Sequence, residues 1–234
     1  MLPIRPEPTN EFLARLPAAE RKRVLSACET VELVVGDEIY AERGRMRYVY
    51  FPLDSVFSEL TPSSDPPVEA FLTGYESMVG FLAGLHLEHA PMHCSVQGSG
   101  RALRMKAGDF IAALDASPKL RGLVHCSVYY QVQQMARNIY CMRHHELVQR
   151  LARWLLMGSD RQRSPRFDVT HKFLAAMLGT RRAGVTVAAA ALQAKRLIRY
   201  RRGEVEILDR KGLEGAACDC YRFSITAHER AFGP

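Results

Sequence analysis

The apolar positions along this chain change their period once, near residue 115. Before that point they come in short strand-like runs: VELVV at 31–35, YVYF at 48–51, SVFSEL at 55–60, VEAFL at 68–72 and ALRM at 102–105. Gly36-Asp37, Arg43-Gly44, Thr61 to Pro67 and Gly98 to Gly100 separate them. Many short strands with Gly/Pro punctuation predict a small antiparallel barrel or jelly roll. One short helix is expected ahead of the strands, from Pro17 to Ala27, with Pro17 suited to a first helical position and Val24 and Leu25 on one side.

From Pro118 to Arg143 the chain carries no further proline, and its only glycine is Gly122, with Ser117 placed to cap a helix. Val124, Val128, Gln131, Met135, Ile139 and Met142 step by three or four and form a seam on one helix face. A helix of about 25 residues is about 37 Å long, more than a barrel of this size can cover, so part of the seam is expected to meet a second copy of the chain. A homodimer is the expectation. A further helix, HELVQRLARWLLM at 145–157, points Leu147, Val148, Leu151, Trp154 and Leu155 inward, and Gly158 to Arg166 reads as a polar loop.

The next stretch, FLAAMLGTRRAGVTVAAAALQ at 173–193, has the parts of a helix-turn-helix. Thr170 can cap a first helix bearing Phe173, Leu174, Met177 and Leu178, and Gly179 stands where the chain turns sharply between helices. In a second helix, 181–194, Val185, Ala188, Ala189 and Leu192 form an inward stripe, which leaves Arg182, Thr186, Ala190 and Gln193 outward. Arginine can donate two hydrogen bonds to a guanine edge, and threonine one turn on can meet a thymine methyl or a phosphate. Ala183, Gly184 and Ala190 are small enough for close approach to a groove. Thr180, Arg181, Lys195, Arg196, Arg199, Arg201 and Arg202 flank it, where phosphates lie. The run RYRRGEVEIL, with its Arg202-Gly203 turn, predicts a two-stranded wing.

Charge strengthens this picture. Of the 32 Lys+Arg and 25 Asp+Glu, residues from Leu147 onward hold 17 and 8, a balance of +9, against 15 and 17, or −2, for residues 1–146. A basic domain is an electrostatic footprint of phosphate binding, although a solvated basic face produces one too. The 47% hydrophobic and 24% charged content suits a globular chain. MLPIRPEPTNEFLARL has no uninterrupted apolar core, and no segment offers about 18 apolar residues, so neither a signal peptide nor a membrane span is expected, and a cytoplasmic location is. No Ser/His/Asp order, P-loop, HExxH or supported carboxylate pair argues for an enzyme. Cys28, Cys94, Cys126, Cys141, Cys218 and Cys220 are scattered apart from the final Cys-Asp-Cys, which lacks the spacing of a usual zinc or disulfide framework; most read as buried thiols.

Over residues 10–225 the chain resembles the Crp/Fnr family of bacterial transcription regulators. The residues that carry the resemblance are the Leu-Gly turn at 178–179, Arg182 at the family's DNA-reading position, Val185 inward, and Leu197-Ile198 before the wing. The resemblance implies an α+β fold: an antiparallel, jelly-roll or cupin-like β-roll sensor of the cyclic-nucleotide-binding type at 10–115, a dimerisation helix at 116–144, and a winged helix-turn-helix at 145–225. Its implied partners are double-stranded DNA with a palindromic operator, a second copy of the chain, RNA polymerase and a small-molecule effector, with no membrane.

Two departures from the family pattern matter. Ala183 and Val187 replace the family's frequent Glu and second Arg, so the preferred operator is expected to differ. In GYESMVGFLAGLHLEHAPMHCSVQ, Phe81 stands at the Glu position and Met92-His93 at the Arg-Ser position that holds a cyclic phosphate, and no arginine lies between Arg47 and Arg101. A phosphodiester buried without a cation costs several kcal/mol, so cyclic AMP is not the expected effector. Tyr75, Glu76, Met92 and His93 are the residues assigned to an effector pocket. His86, His89, His93 and Cys94 could ligate haem or a metal, but His-rich turns are more often solvated, and no metal or cofactor is expected. The rival reading is a ligand-binding β-roll whose basic domain docks an acidic protein or RNA.

Overall fold

In a computed structural model, which describes residues 9–61 and 68–233, two short helices lead into the roll. They are α1 (Glu11–Ala14), capped by Asn10, and α2 (Ala18–Ser26), which starts behind Pro17. Seven strands follow: β1 (Glu29–Leu33), β2 (Glu38–Tyr40), β3 (Tyr48–Pro52), β4 (Val56–Leu60), β5 (Glu69–Thr73), β6 (His93–Gly98) and β7 (Gly100–Lys106). They pair antiparallel in two sheets, ordered β1-β7-β3 and β2-β6-β4-β5. All five predicted strands are present. The first is displaced toward the N-terminus, because the Asp37 carboxylate accepts the Val34 amide at 2.9 Å and turns Val34 and Val35 out of the sheet. The punctuating segment Thr61 to Pro67 lies, from residue 62 on, outside the described residues.

β6 occupies the segment read as a His-bearing loop. His93 is its first residue and pairs with Glu38 at 3.1 Å, Cys94 is buried behind it, and His86 caps a 3₁₀ turn, Phe81–Leu85, with left-handed backbone. Among the described residues these histidines form no ligand group.

Beyond the roll come α3 (Ala107–Ala116), α4 (Pro118–His144) and α5 (Leu147–Gln162). The Ser117 hydroxyl caps α4 by accepting the Leu120 amide at 2.9 Å. The predicted seam of α4 divides along its length. Val124 (1% exposed) and Gln131 (2%) face the chain's own roll, where the Gln131 amide donates to the Thr73 hydroxyl at 3.2 Å. Val128 packs partly buried against the same core. Met135, Ile139 and Met142 remain exposed together with Val132, so the unpartnered stripe is Val132-Met135-Ile139-Met142. The stripe shifts because the roll reaches only one side of the second half of this 27-residue helix, where Asn138 donates to the Ala70 carbonyl at 2.7 Å.

α5 does not end at Gly158, where a loop was expected. The helix continues to Gln162 because Gly158 packs beneath Phe167 and Arg161 has buried partners to reach. Then follow β8 (Arg166–Asp168), α6 (His171–Met177), α7 (Arg182–Ala194), β9 (Ile198–Arg201), β10 (Glu204–Ile207), α8 (Arg210–Ala216) and α9 (Cys220–Phe232). β8 adds a third strand to the predicted two-stranded wing, in the order β8-β10-β9. A core of Leu151, Leu155, Leu156, Leu174, Val185, Leu192, Val205 and Leu213 fills this unit. α9, which the periodicity did not reveal, runs back antiparallel along α4: Ser224 donates to Gln134 at 3.0 Å, and His228 packs on Tyr130 with centroids 5.4 Å apart.

Arg161 joins the roll to the C-terminal unit. Its Nε lies 2.9 Å from Glu76 and donates to the Leu72 carbonyl at 3.1 Å, and its Nη2 donates to the Tyr130 hydroxyl at 3.3 Å. Burial alone pulls the guanidinium pKa down, but Glu76, with Tyr130, Asp160 and Glu69, raises it above its ordinary value, so the charge persists. Gly74 makes the approach feasible, since a Cβ there would stand 2.8 Å from the Arg161 Cβ. Nearby, the Trp154 indole donates to buried Glu69 at 3.1 Å across the same junction.

Inside the roll, Glu59 on β4 is buried and accepts a hydrogen bond from Tyr40, and burial pushes its pKa up to about 8. The folded state therefore keeps a proton that the unfolded chain, with an ordinary value of 4.5, releases. Between these two values rising pH favours unfolding, by up to about 1.4 kcal/mol per pH unit. Urea midpoints are expected to fall from about pH 5 to about pH 8 in the wild type. Glu59→Gln is expected to flatten that slope, and an equal slope in the variant would remove Glu59 as its source.

Candidate nucleic-acid interface

The basic face is assembled on α6, α7 and the wing, and each piece is held by a local device. Thr170 accepts the Phe173 amide at 3.1 Å and caps α6. At the other end Gly179 takes φ +57°, with Gly179 N–H donating to Ala176 at 3.0 Å and Thr180 N–H to Ala175 at 2.9 Å. That pair of bonds is a Schellman ending, which needs a residue that tolerates left-handed backbone. Arg150 on α5 donates to the Leu178 carbonyl and pins the turn from below. α7 then begins at Arg182 with no acidic residue in its first turn, so no carboxylate there competes with a phosphate for the helix N-terminus.

The orientation of α7 follows the predicted stripe. Val185, Ala188, Ala189 and Leu192 are buried on α5 and the wing, and Arg182, Thr186, Ala190 and Gln193 are exposed. Gly184 differs from the expectation. An added Cβ there would sit 3.0 Å from Leu147, so its small size lets α7 pack on α5 and gives no clearance toward a groove. Its neighbour Thr180 is half-buried with its hydroxyl beside it. Ala183 and Ala190 do face outward.

The charged residues fall into two sets. Arg181, Arg182, Lys195, Arg201 and Arg202 are exposed, and among the described residues they form no ion pair. Arg202 (φ +49°) and Gly203 (φ +87°) form the wing tip as a two-residue turn with both residues left-handed, which projects the Arg202 side chain outward. Arg199 is already engaged, because the β9–β10 register sets it opposite Glu206 and its Nε lies 2.9 Å from that carboxylate. Gln193 likewise accepts the Tyr200 amide at 2.8 Å, so its carbonyl holds the wing to α7.

Two residues outside the predicted outward stripe contribute to this surface. Val187 is 69% exposed beside Thr186, an apolar side chain on the outer face that suits a thymine methyl. His171, the first residue of α6, lies 3.1 Å from the Thr186 hydroxyl and packs on Tyr200 with centroids 4.4 Å apart. Burial, then the charge of Arg182, holds its pKa down, so it braces α7 as a neutral ring. The spacing from Arg182 to Val187 could have marked Val187; the His171 contact depends on how the helices cross.

The residues assigned to an effector pocket do not converge. Glu76 is spent on Arg161, and Tyr75 carries the Arg163 guanidinium 3.7 Å over its ring, so both line a groove between the roll, α5 and α9. Met92 packs against the roll core and His93 binds Glu38, both away from that groove. No helix among the described residues is long and apolar enough to cross a membrane.

The family model for the Crp-like helix-turn-helix domain matches residues 149–216. No curated protein shows significant sequence similarity to the chain. Solved structures do share its architecture. FixK2 from Bradyrhizobium japonicum superposes with a TM-score of 0.67 at 13% identity, covering 82% of this chain and 98% of that one. CLP from Xanthomonas campestris, a global regulator responsive to c-di-GMP, gives 0.66 at 13% identity over 82% and 99%. A Crp/Fnr family transcriptional regulator from Thermus thermophilus gives 0.64 at 22% identity over 81% and 98%. Residues 149–216 therefore match the Crp-like helix-turn-helix domain, and the chain as a whole shares its fold with these solved structures, a Crp/Fnr family regulator among them.

Proposed function

We propose that the chain is a DNA-binding transcription regulator that acts as a homodimer and lays α7 of each protomer in the major groove of a two-fold operator. The observation that carries this reading is the outer face of α7. It is led by Arg182, lined by Thr186 and Val187, flanked by cations with no carboxylate partner, and fixed by a fully buried inner stripe. A rigid helix with unpaired cations at its leading end suits direct readout, with the wing and helix end on phosphates.

The exposed stripe of α4 supports the dimer. Val132 is 60% and Ile139 67% exposed on a helix whose other faces are covered, and helical spacing of such residues suits packing against the same helix of a second copy. A dimer places two reading helices on half-sites about 34 Å apart. For the effector, residues 48–100 contain no lysine or arginine, so the segment that stands at the family's phosphate-holding position offers a cyclic phosphate no cation. An effector of other chemistry, or none, fits this roll better than cyclic AMP.

Binding selection from genomic fragments, followed by competition against random DNA at several salt concentrations, tests the reading. Arg182→Ala is expected to weaken specific binding by about 1–3 kcal/mol and leave non-specific binding nearly unchanged. No sequence-preferred retention by the wild type, or undiminished specificity in the variant, sinks the assignment. In sedimentation equilibrium, Ile139→Glu is expected to shift the protein from dimer to monomer with its circular dichroism retained; a dimer that persists would place the interface elsewhere.

A further inference from the structure

Away from the DNA-facing surface, one side-chain cluster carries chemistry that reading DNA does not use. Cys141 lies in the last turn of α4 and His145 is its cap residue, four positions on. Cys218, in the short turn after α8, and Cys220, the first residue of α9, flank its cap residue Asp219. Because α9 folds back along α4, the two pairs meet. Sγ of Cys141 lies 3.5 Å from Sγ of Cys218, and Sγ of Cys220 lies 3.5 Å from Nδ1 of His145. All four donor atoms fall within 4.8 Å of one another. The three thiols are free, buried, and cluster with each other apart from the apolar cores. Cysteines that only fill volume sit among carbon; these face one another and an imidazole.

Three features fit a bound metal ion. A tetrahedral ion with bonds of about 2.3 Å to sulfur and about 2.0–2.1 Å to imidazole sets its ligands about 3.5–3.8 Å apart, the separation that the two closest pairs already have. The other ring nitrogen of His145, Nε2, lies 3.4 Å from Asp219 Oδ1, the carboxylate contact that orients a metal-bound imidazole and fixes its tautomer. Cationic side chains stand ready for the excess negative charge of three thiolates. Arg137 Nη1 is 3.9 Å from Cys220 Sγ. Buried Arg153 forms no ion pair among the described residues, leaves its Nε without a hydrogen-bond partner, and lines the same small cavity as Cys141.

The geometry points to a tetrahedral zinc site made by Cys141, His145, Cys218 and Cys220, which fastens the end of the long helix to the last helix of the DNA-binding unit. Three thiolates and one imidazole form a closed, borderline-soft donor set that favours zinc over oxygen-seeking magnesium or calcium. On loading, each thiol gives up its proton to solvent as its sulfur binds the ion, with no change in oxidation state. The clip sits where α4 hands over to the helix-turn-helix, so occupancy would stiffen a junction between the long helix and the DNA-binding unit.

Cobalt titration of the full-length, reduced, chelator-treated protein without oxygen tests the site. One equivalent of Co²⁺ per chain is expected to give the intense visible bands of a four-coordinate ion together with near-ultraviolet sulfur-to-cobalt charge transfer. One equivalent of Zn²⁺ is expected to bleach both. Asp219→Asn, which keeps every ligand, is expected to weaken binding about 10–100-fold, and Cys126→Ser is expected to leave the titration unchanged. Pale six-coordinate bands, or absorbance that climbs without a break at one equivalent, would overturn the proposal. So would a Cys141–Cys218 disulfide in the purified protein whose reduction yields no cobalt affinity.

Discussion

The buried charge of Arg161 is the constraint around which the two halves of this protein are arranged. A guanidinium removed from water costs several kcal/mol unless it is paired and its donors are satisfied. Here, beside the Met157 carbonyl of its own helix, the partners come from elsewhere: Glu76 just beyond β5, the Leu72 carbonyl within β5, and the Tyr130 hydroxyl on α4. The pair sets the register between roll, long helix and DNA-binding unit more than it adds net stability. Gly74 and the extension of α5 past Gly158 are consequences, since the chain must let the helix close and keep it running long enough to deliver the side chain.

With that junction fixed, the reading surface is presented as a rigid body. The Trp154 to Glu69 hydrogen bond and the return of α9 along α4 tie the C-terminal unit to the roll at further points. α4 changes character along its length, its first half roofing the roll and its second half leaving Val132, Met135, Ile139 and Met142 exposed. α5 links the roll to α7, since its inner face also carries Leu147 against Gly184 and Arg150 under the turn before α7.

Local periodicity exposed the elements whose faces are set by one neighbour. The inward stripe of α7, the Gly179 turn, the Arg202-Gly203 wing tip and five of the strands could be read from spacing, because each obeys a short-range rule. What escaped depended on contacts distant in sequence. β6 starts at a histidine because His93 pairs with Leu60 of β4 and its ring reaches Glu38 of β2. The α4 seam is divided by how far the roll extends, which no helix period contains. Gly184 looked like clearance for DNA and is clearance for Leu147. Cys141 and His145 lie more than seventy residues from Cys218 and Cys220, and only the return of α9 brings them together.

The junction at Arg161 can be tested through Trp154, the single tryptophan of the chain, which sits on it. Denaturant unfolding would be followed in parallel by Trp154 fluorescence and far-ultraviolet circular dichroism, in the wild type and in Glu76→Ala, which leaves Arg161 buried without its carboxylate. If the pair holds the two halves in register, the wild-type signals change together. The variant is then destabilised by about 3–5 kcal/mol, with the fluorescence change preceding the loss of secondary structure. Coincident transitions in the variant at the wild-type midpoint would contradict the clamp.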